Sequence, residues 1–121
     1  MRPTPSQELA ALFKEAATLA SLRHPNVVSF LGICLDSPTE PMLVTELVNG
    51  GSLEERLYPH PRGSAQALTS AQRRRVAKGV AAGLMHIHSK PLVHRDLKPG
   101  NVLLTRGLAA KVWRTLASLV R

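Results

Sequence analysis

His94-Arg95-Asp96-Leu97-Lys98-Pro99-Gly100-Asn101 is the stretch that decides the fold of this chain, and the apolar run Val102-Leu103-Leu104 follows it directly. Its side chains suit proton transfer and metal binding. The Asp96 carboxylate can accept a proton from a hydroxyl group. Lys98 can neutralise negative charge, and the Asn101 amide offers the kind of oxygen that Mg²⁺ prefers as a ligand. The alternative is a polar turn before a buried strand, in which all three side chains are solvated.

The pattern His-Arg-Asp-x-Lys-x-x-Asn resembles the catalytic loop of serine/threonine protein kinases. Five positions match in register, which favours a catalytic loop over a polar turn. The resemblance implies ATP and Mg²⁺ as cofactors and a protein substrate that is phosphorylated on serine or threonine. It implies that Asp96 is the catalytic base, that Lys98 is catalytic, and that Asn101 is both catalytic and a metal ligand. Lys98 favours serine/threonine over tyrosine specificity, while dual specificity stays open.

Length, cysteine usage and apolar content limit the alternatives. The chain has 121 residues, and protein kinase domains are considerably longer, so the resemblance implies a fragment of one. The single Cys34 excludes an internal disulfide and suits a reducing compartment, from which we expect a cytoplasmic location. No window approaches the roughly 20 apolar residues of a membrane span. The first residues lack the apolar run of a secretory signal.

The charge is distributed unevenly. Residues 1–60 carry four basic and seven acidic side chains, whereas residues 61–121 carry twelve basic and one acidic. Such asymmetry can mark a nucleic-acid or membrane surface. The run Arg73-Arg74-Arg75 falls in a predicted helix, however, and no aromatic residues alternate with it to stack bases. We therefore interpret the run as a solvated face and do not expect nucleic-acid binding. The oligomeric state cannot be inferred from the sequence.

The N-terminal segment has the signals of a helix. Thr4 and Gln7 form a capping box around Pro5, and apolar residues then recur at intervals of three and four to about Leu22. By resemblance this is the kinase helix αC, because His-Pro-Asn follows it. The spacing to that tripeptide implies that Glu15 is the glutamate that pairs with the phosphate-binding lysine, and so belongs to the cofactor site. The alternative is an exposed helical carboxylate.

Two apolar segments separated by a turn predict an antiparallel hairpin, with strands over residues 27–35 and 42–48. The resemblance identifies them with the fourth and fifth strands of a kinase N-lobe. It implies that Thr45 is the gatekeeper beside adenine, and that the backbone of Glu46 and Val48 in the hinge hydrogen-bonds adenine. Leu103 completes the implied cofactor site. The alternative for Thr45 is an ordinary strand residue.

Two further capping boxes open the helices that the resemblance names αD and αE, at Ser52 and at Thr69. The second helix should extend to about His88, and its Gly79 and Gly83 would let another backbone approach closely. His86 and His88 could bind a metal, although a helix C-terminus favours cationic side chains in any case.

The expected fold is therefore α+β, an incomplete protein-kinase-like fold. It contains αC, a two-strand N-lobe hairpin, αD, αE, the catalytic loop and short strands. We expect residues 1–48 to be a remnant of the N-lobe and residues 49–121 to be the start of the C-lobe.

The match departs from the family pattern at three places. Trp113-Arg114-Thr115 stands where Asp-Phe-Gly is expected, and there is neither a Gly-x-Gly-x-x-Gly loop nor a Val-Ala-x-Lys strand. Because phosphoryl transfer depends on positioning and charge neutralisation, we expect negligible transfer from these 121 residues alone. Two functions stay open: a truncated piece of a serine/threonine kinase, or a non-catalytic interaction module derived from one. The substrate and pathway cannot be inferred from the sequence.

Overall fold

The computed structural model of the chain describes residues 2–36, 41–58, 67–90 and 97–113, except for the side chain of Glu15. Within these ranges the chain forms three α-helices, a 3-10 turn and four short strands. In chain order the elements are α1 (Pro5–Ala20), β1 (Phe30–Cys34), β2 (Met42–Thr45), α2 (Leu53–Leu57), α3 (Ser70–His88), the 3-10 turn (Pro99–Asn101), β3 (Val102–Leu104) and β4 (Ala110–Val112).

All three predicted capping boxes are confirmed. At α3, the Thr69 hydroxyl accepts from the Gln72 backbone N–H at 3.1 Å, and the Gln72 side chain accepts from the Thr69 N–H at 2.8 Å. Each box satisfies backbone donors that the first helical turn cannot pair internally. The bounds of α3 agree with the expectation. α1 ends at Ala20, slightly before the predicted Leu22.

Strands β1 and β2 form the predicted antiparallel hairpin, with Cys34 opposite Met42 and an irregularity between Phe30 and Gly32. Strand β1 begins at Phe30 and not at residue 27, because Val27 and Val28 pair elsewhere, and β2 ends at Thr45 and not at residue 48. Val27 forms a parallel bridge with Val112, and the Val28 N–H donates to the Val112 carbonyl at 3.0 Å. The segment after α1 therefore joins the β-hairpin of β1 and β2 to strand β4.

Strands β3 and β4 form a second antiparallel pair, and the segment before α2 lies along β3. The Gly50 N–H donates to the Leu104 carbonyl, and the Leu104 N–H donates to the Gly51 carbonyl, both at 2.8 Å. A Cβ atom at Gly50 would collide with the Leu104 carbonyl oxygen. Gly51 has φ of 79°, a left-handed conformation that glycine adopts without strain. These glycines allow the close pairing of the two segments.

The core consists of two clusters that meet on α3, with Val80 packed against both. The first contains Leu22, Val27, Ile87 and Val112, and the second contains Val76, Val102, Leu104 and Ala110. A Cβ atom at Gly83 would collide with the Asn26 carbonyl oxygen, and one at Gly79 would lie 2.9 Å from Asn26 Nδ2. The predicted close approach of a backbone is thus confirmed at Gly83, whereas the atoms nearest to a Cβ at Gly79 belong to the side chains of Asn26 and Ala110.

The arrangement confirms an incomplete kinase-like α+β fold: helices pack beside two small antiparallel sheets. The division into a lobe remnant over residues 1–48 and a second lobe over residues 49–121 stays a prediction. Among the helices in the described ranges, none combines the length and the hydropathy needed to cross a bilayer.

Candidate active site

The second half of the catalytic-loop motif is a tight turn. Lys98 has extended backbone angles and precedes the 3-10 turn, whose first residue is Pro99. The Asn101 N–H donates to the Lys98 carbonyl at 2.9 Å and closes this turn. Lys98 is exposed, whereas Asn101 is only 9% exposed. The predicted base Asp96 lies outside the described residues, so the turn presents two of the three predicted catalytic side chains.

The Asn101 backbone is anchored by the residue that directly follows strand β4. The Trp113 N–H donates to the Asn101 carbonyl at 2.7 Å, immediately beyond the pairing of Val102 with Val112. The residue after β4 therefore lies beside the predicted metal ligand. In the family pattern this is where the Asp-Phe-Gly region begins, and here the residue is tryptophan. Arg114 and Thr115 lie outside the described residues.

A Mg²⁺ site in a kinase needs more oxygen ligands than Asn101 alone. Within the described ranges, no group of three or more His, Cys, Asp or Glu side chains could hold a metal ion. The tryptophan side chain at position 113 supplies no oxygen ligand. The described residues therefore do not fit a complete Mg²⁺ site, and Asn101 stays a predicted ligand.

Trp113 also packs at the junction of α1 with the β1–β2 hairpin. It lines a cavity of about 10 Å³ together with Leu19, Leu22, Val27, Val28, Phe30, Leu43 and Thr45. That volume is close to the minimum for one water molecule. The predicted gatekeeper Thr45 therefore faces a nearly filled apolar junction, to which the residue that departs from the family pattern contributes.

Glu46, at the start of the predicted hinge, forms hydrogen bonds with Ser29 and an ion pair with Lys111. Its backbone N–H donates to the Ser29 carbonyl and its Oε2 accepts from the Ser29 N–H, both at 2.9 Å. Its Oε1 lies 2.7 Å from Lys111 Nζ. Partial burial raises the pKa of the Glu46 carboxyl, but hydrogen bonds from Lys111 and Ser29, with the charge of Lys111, outweigh it and hold the pKa below its usual value.

Sequence reasoning missed this ion pair. The sequence predicts short strands beside the catalytic loop without assigning a role to Lys111, and the resemblance gives Glu46 a role through its backbone alone. No local signal joins two residues so far apart along the chain. A basic residue in an otherwise apolar strand that follows the catalytic loop was the only hint.

The rest of the predicted adenine site surrounds the hinge. The Thr45 hydroxyl donates to the Glu46 carbonyl at 3.2 Å. Val48 is half-buried, and its N–H has no hydrogen-bond partner among the described residues. Leu103 is half-buried and forms an antiparallel bridge with Ser52, just beyond the hinge. The hinge and Leu103 are thus linked by one short segment. The predicted contact of Glu15 involves a side chain outside the described residues.

His86 packs against the segment that follows α1. Its ring stacks on that of His24, with centroids 5.0 Å apart and planes inclined by 30°. The Nδ1 atom of His24 accepts from the Asn26 N–H at 3.0 Å. The stacking gives His86 a packing role between α3 and the Pro25 turn.

Comparison with known proteins agrees with this geometry. The family profile described as protein tyrosine and serine/threonine kinase matches residues 2–114. The chain belongs to the protein kinase family.

Three relatives of this kinase chain come from Arabidopsis thaliana. U-box domain-containing protein 34 is 45% identical over 102 residues, covering 82% of the chain and 12% of the relative. Wall-associated receptor kinase 2 is 38% identical over 110 residues, with 87% and 14% covered. A probable LRR receptor-like serine/threonine-protein kinase is 42% identical over 103 residues, with 83% and 10% covered. The kinase chain thus spans only a small fraction of the length of these relatives.

Proposed function

We propose that this chain is part of the catalytic domain of a serine/threonine protein kinase. The observation that carries the proposal is the turn from Lys98 to Asn101, which buries Asn101 and fastens it to Trp113. In a solvated polar turn, the asparagine side chain would be exposed and its backbone would not be anchored to a neighbouring strand. The serine/threonine specificity is supported by Lys98 and by the name of one relative.

The proposed reaction moves the γ-phosphoryl group of ATP to a serine or threonine hydroxyl of a protein. The bond from phosphorus to the β–γ bridging oxygen breaks, ADP leaves, and a new bond forms from phosphorus to the substrate oxygen. Asp96 would accept the hydroxyl proton, and Lys98 would neutralise charge on the transferred group. The Glu46 carbonyl and the Val48 backbone would hydrogen-bond adenine, beside Leu103. Within the family, Mg²⁺ neutralises phosphate charge, and Asn101 is the described residue that could bind it.

We further propose that the 121 residues by themselves transfer phosphate negligibly. They contain no glycine loop and no phosphate-binding lysine strand, and Trp113-Arg114-Thr115 stands where Asp-Phe-Gly is expected. Phosphoryl transfer depends almost entirely on positioning and electrostatic stabilisation, so missing phosphate contacts remove most of the catalytic effect. A cytoplasmic location is part of the same proposal and rests on the single Cys34.

Two preparations test the proposal. The first is the purified chain with labelled ATP, Mg²⁺ and a serine/threonine peptide mixture, and it should incorporate no more phosphate than its Asp96→Asn variant. The second is a chimera, in which the glycine-loop and lysine strands of the LRR receptor-like relative precede residue 2, the remainder of its kinase C-lobe follows residue 121, and Ala-Asp-Phe-Gly replaces Trp113-Arg114-Thr115. The chimera should phosphorylate serine or threonine, and Asp96→Asn should abolish this. A folded chimera without activity would refute the kinase role.

A non-catalytic interaction module is the second candidate, and an apolar outer face on the hairpin favours it. Leu31, Met42 and Val44 are exposed there. An exposed apolar sheet face can bind a partner protein. A cooperative thermal transition of the purified chain, with capture of a kinase or scaffold that is lost on Val44→Lys, would support this function. Capture that is unchanged by the substitution would argue against it.

A further inference from the structure

The ion pair between Glu46 and Lys111 joins two parts of the predicted nucleotide site. Glu46 begins the hinge, and Lys111 lies opposite Leu103 in the β3–β4 pair. Both side chains are mostly shielded, with 25% of Glu46 and 19% of Lys111 exposed. The ion pair therefore connects the hinge to strand β4, which pairs with Leu103 of the predicted adenine site.

Strand β4 continues this connection to the catalytic loop. Directly after Lys111, the Val112 N–H donates to the Asn26 carbonyl at 2.8 Å. The Trp113 N–H then donates to the Asn101 carbonyl at 2.7 Å. A displacement of β4 would therefore change the position of Asn101. The described contacts form a continuous path from Glu46 through Lys111 and Trp113 to Asn101.

We propose that Glu46 and Lys111 are positioning residues, which hold the adenine-binding hinge at a fixed distance from the catalytic-loop asparagine. The nucleotide part of this inference rests on the proposed kinase function. Neither side chain is expected to touch the substrate. They act through the hinge backbone on one side and through β4 and Asn101 on the other.

The geometry around the carboxylate distinguishes this pair from an ordinary surface ion pair, which contributes little. Ser29 and Glu46 exchange two hydrogen bonds, because each backbone N–H donates to an oxygen of the other residue. This exchange fixes the orientation of the carboxylate, so that Oε1 points at Lys111 without further loss of side-chain entropy. A hinge that moved away from β4 would break the contact of the carboxylate with Lys111.

Glu46→Gln and Lys111→Met test the coupling directly. Glutamine keeps an oxygen that can accept from Ser29 but loses the charge, and methionine keeps the apolar length of lysine. Matched controls are Glu8→Gln and Lys78→Met, which remove the same charges from exposed helical positions. The charge-swapped double variant Glu46→Lys/Lys111→Glu restores an ion pair with reversed polarity.

The main measurement is native-state amide hydrogen exchange of the 121-residue chain. Each single substitution should accelerate exchange at the Glu46 and Trp113 amides by about fivefold, because the loss of one ion pair lowers the free energy of local opening. The controls should leave both amides unchanged, and the double variant should recover at least half of the protection. Acceleration at Glu46 without any at Trp113 would overturn the coupling, as would equal acceleration in the controls.

Binding of a fluorescent ADP analogue without metal separates this inference from the proposed function. If the unsubstituted chain binds the analogue, the single variants should bind it several-fold more weakly, and the controls should bind it unchanged. Unaltered affinity in the single variants would overturn the positioning role. If the unsubstituted chain binds no analogue, nucleotide binding by this chain fails. Hydrogen exchange then still decides whether Glu46 and Lys111 couple the hinge to Asn101.

Discussion

Substitution of Gly83 by alanine brings two physical effects into direct conflict. In a helix interior, alanine is favoured over glycine by about 1 kcal/mol, so helix propensity alone predicts a more stable chain. At this position, however, the added Cβ would collide with the Asn26 carbonyl oxygen and lie 3.1 Å from Val112 Cγ2. The collision is with backbone, which cannot rotate away as a flexible side chain can.

The structure indicates that steric repulsion wins. Relief of the clash requires Asn26 to move, yet its carbonyl accepts from the Val112 N–H at 2.8 Å and its Nδ2 donates to the Ala110 carbonyl at 2.8 Å. Overpacking costs about 1 to 3 kcal/mol, and a weakened hydrogen bond costs about 1 kcal/mol more. After subtraction of the propensity gain, we expect Gly83→Ala to lower the free energy of unfolding by about 2 kcal/mol.

Urea denaturation followed by circular dichroism measures this difference, and a thermal melt should show a midpoint lower by about 10 °C. Gly32→Ala is the matched control, because a Cβ there meets nothing within 4 Å. We expect that control to change the free energy by less than about 0.5 kcal/mol. A Gly83→Ala chain that is as stable as the unsubstituted one would show that Asn26 can move freely, and would refute the close packing of α3 against the Asn26 segment.

Three other predictions concern the core, a cap and the hinge carboxyl. Ile87→Ala, at a fully buried side chain, should cost about 3 kcal/mol in urea unfolding, while Met85→Ala, at a side chain that is 75% exposed, should cost less than about 0.5 kcal/mol. Thr69→Ala should cost about 1 kcal/mol by removing a cap, with the neighbouring exposed Ser70→Ala as its control. Because the Glu46 pKa is lowered from 4.5 on folding, its stabilisation is present above pH 4.5 and is lost as the pH falls through the folded value. Glu46→Gln should therefore flatten the dependence of stability on pH in that acidic range, and an unchanged slope would contradict the assigned contacts.

The helix starts could be predicted because their causes are local. A capping box needs only a hydroxyl residue and a glutamine or glutamate three positions later. The start of strand β1 could not be predicted in the same way. Val27 and Val28 have the composition of strand residues, but their partner is Val112 at the other end of the chain. Composition indicates that a segment prefers extended geometry and does not reveal which strand it will pair with.

In the candidate site, too, the features with local causes could be predicted and those with long-range causes could not. The roles of Lys98 and Asn101 were predicted from a motif of eight residues. The turn that leaves Lys98 exposed and buries Asn101 also has local causes, which are Pro99 and a backbone hydrogen bond within the turn. The contacts that anchor the site come from elsewhere. The Trp113 N–H can donate to Asn101 only when β3 and β4 have paired. The spacing of residues along the sequence does not predict that pairing.

Position 113 separates the structural role of a residue's backbone from the role of its side chain. Its backbone N–H still fastens Asn101, since any residue except proline can donate there. Its side chain lines the apolar junction with Leu19 and Thr45, which a carboxylate could do only at a desolvation cost. Tryptophan thus favours packing directly after β4, in the segment where the family pattern expects Asp-Phe-Gly. The turn from Lys98 to Asn101 can therefore keep its anchor whichever non-proline residue follows β4, because the anchoring hydrogen bond comes from the backbone, whereas metal binding and proton transfer depend on side chains.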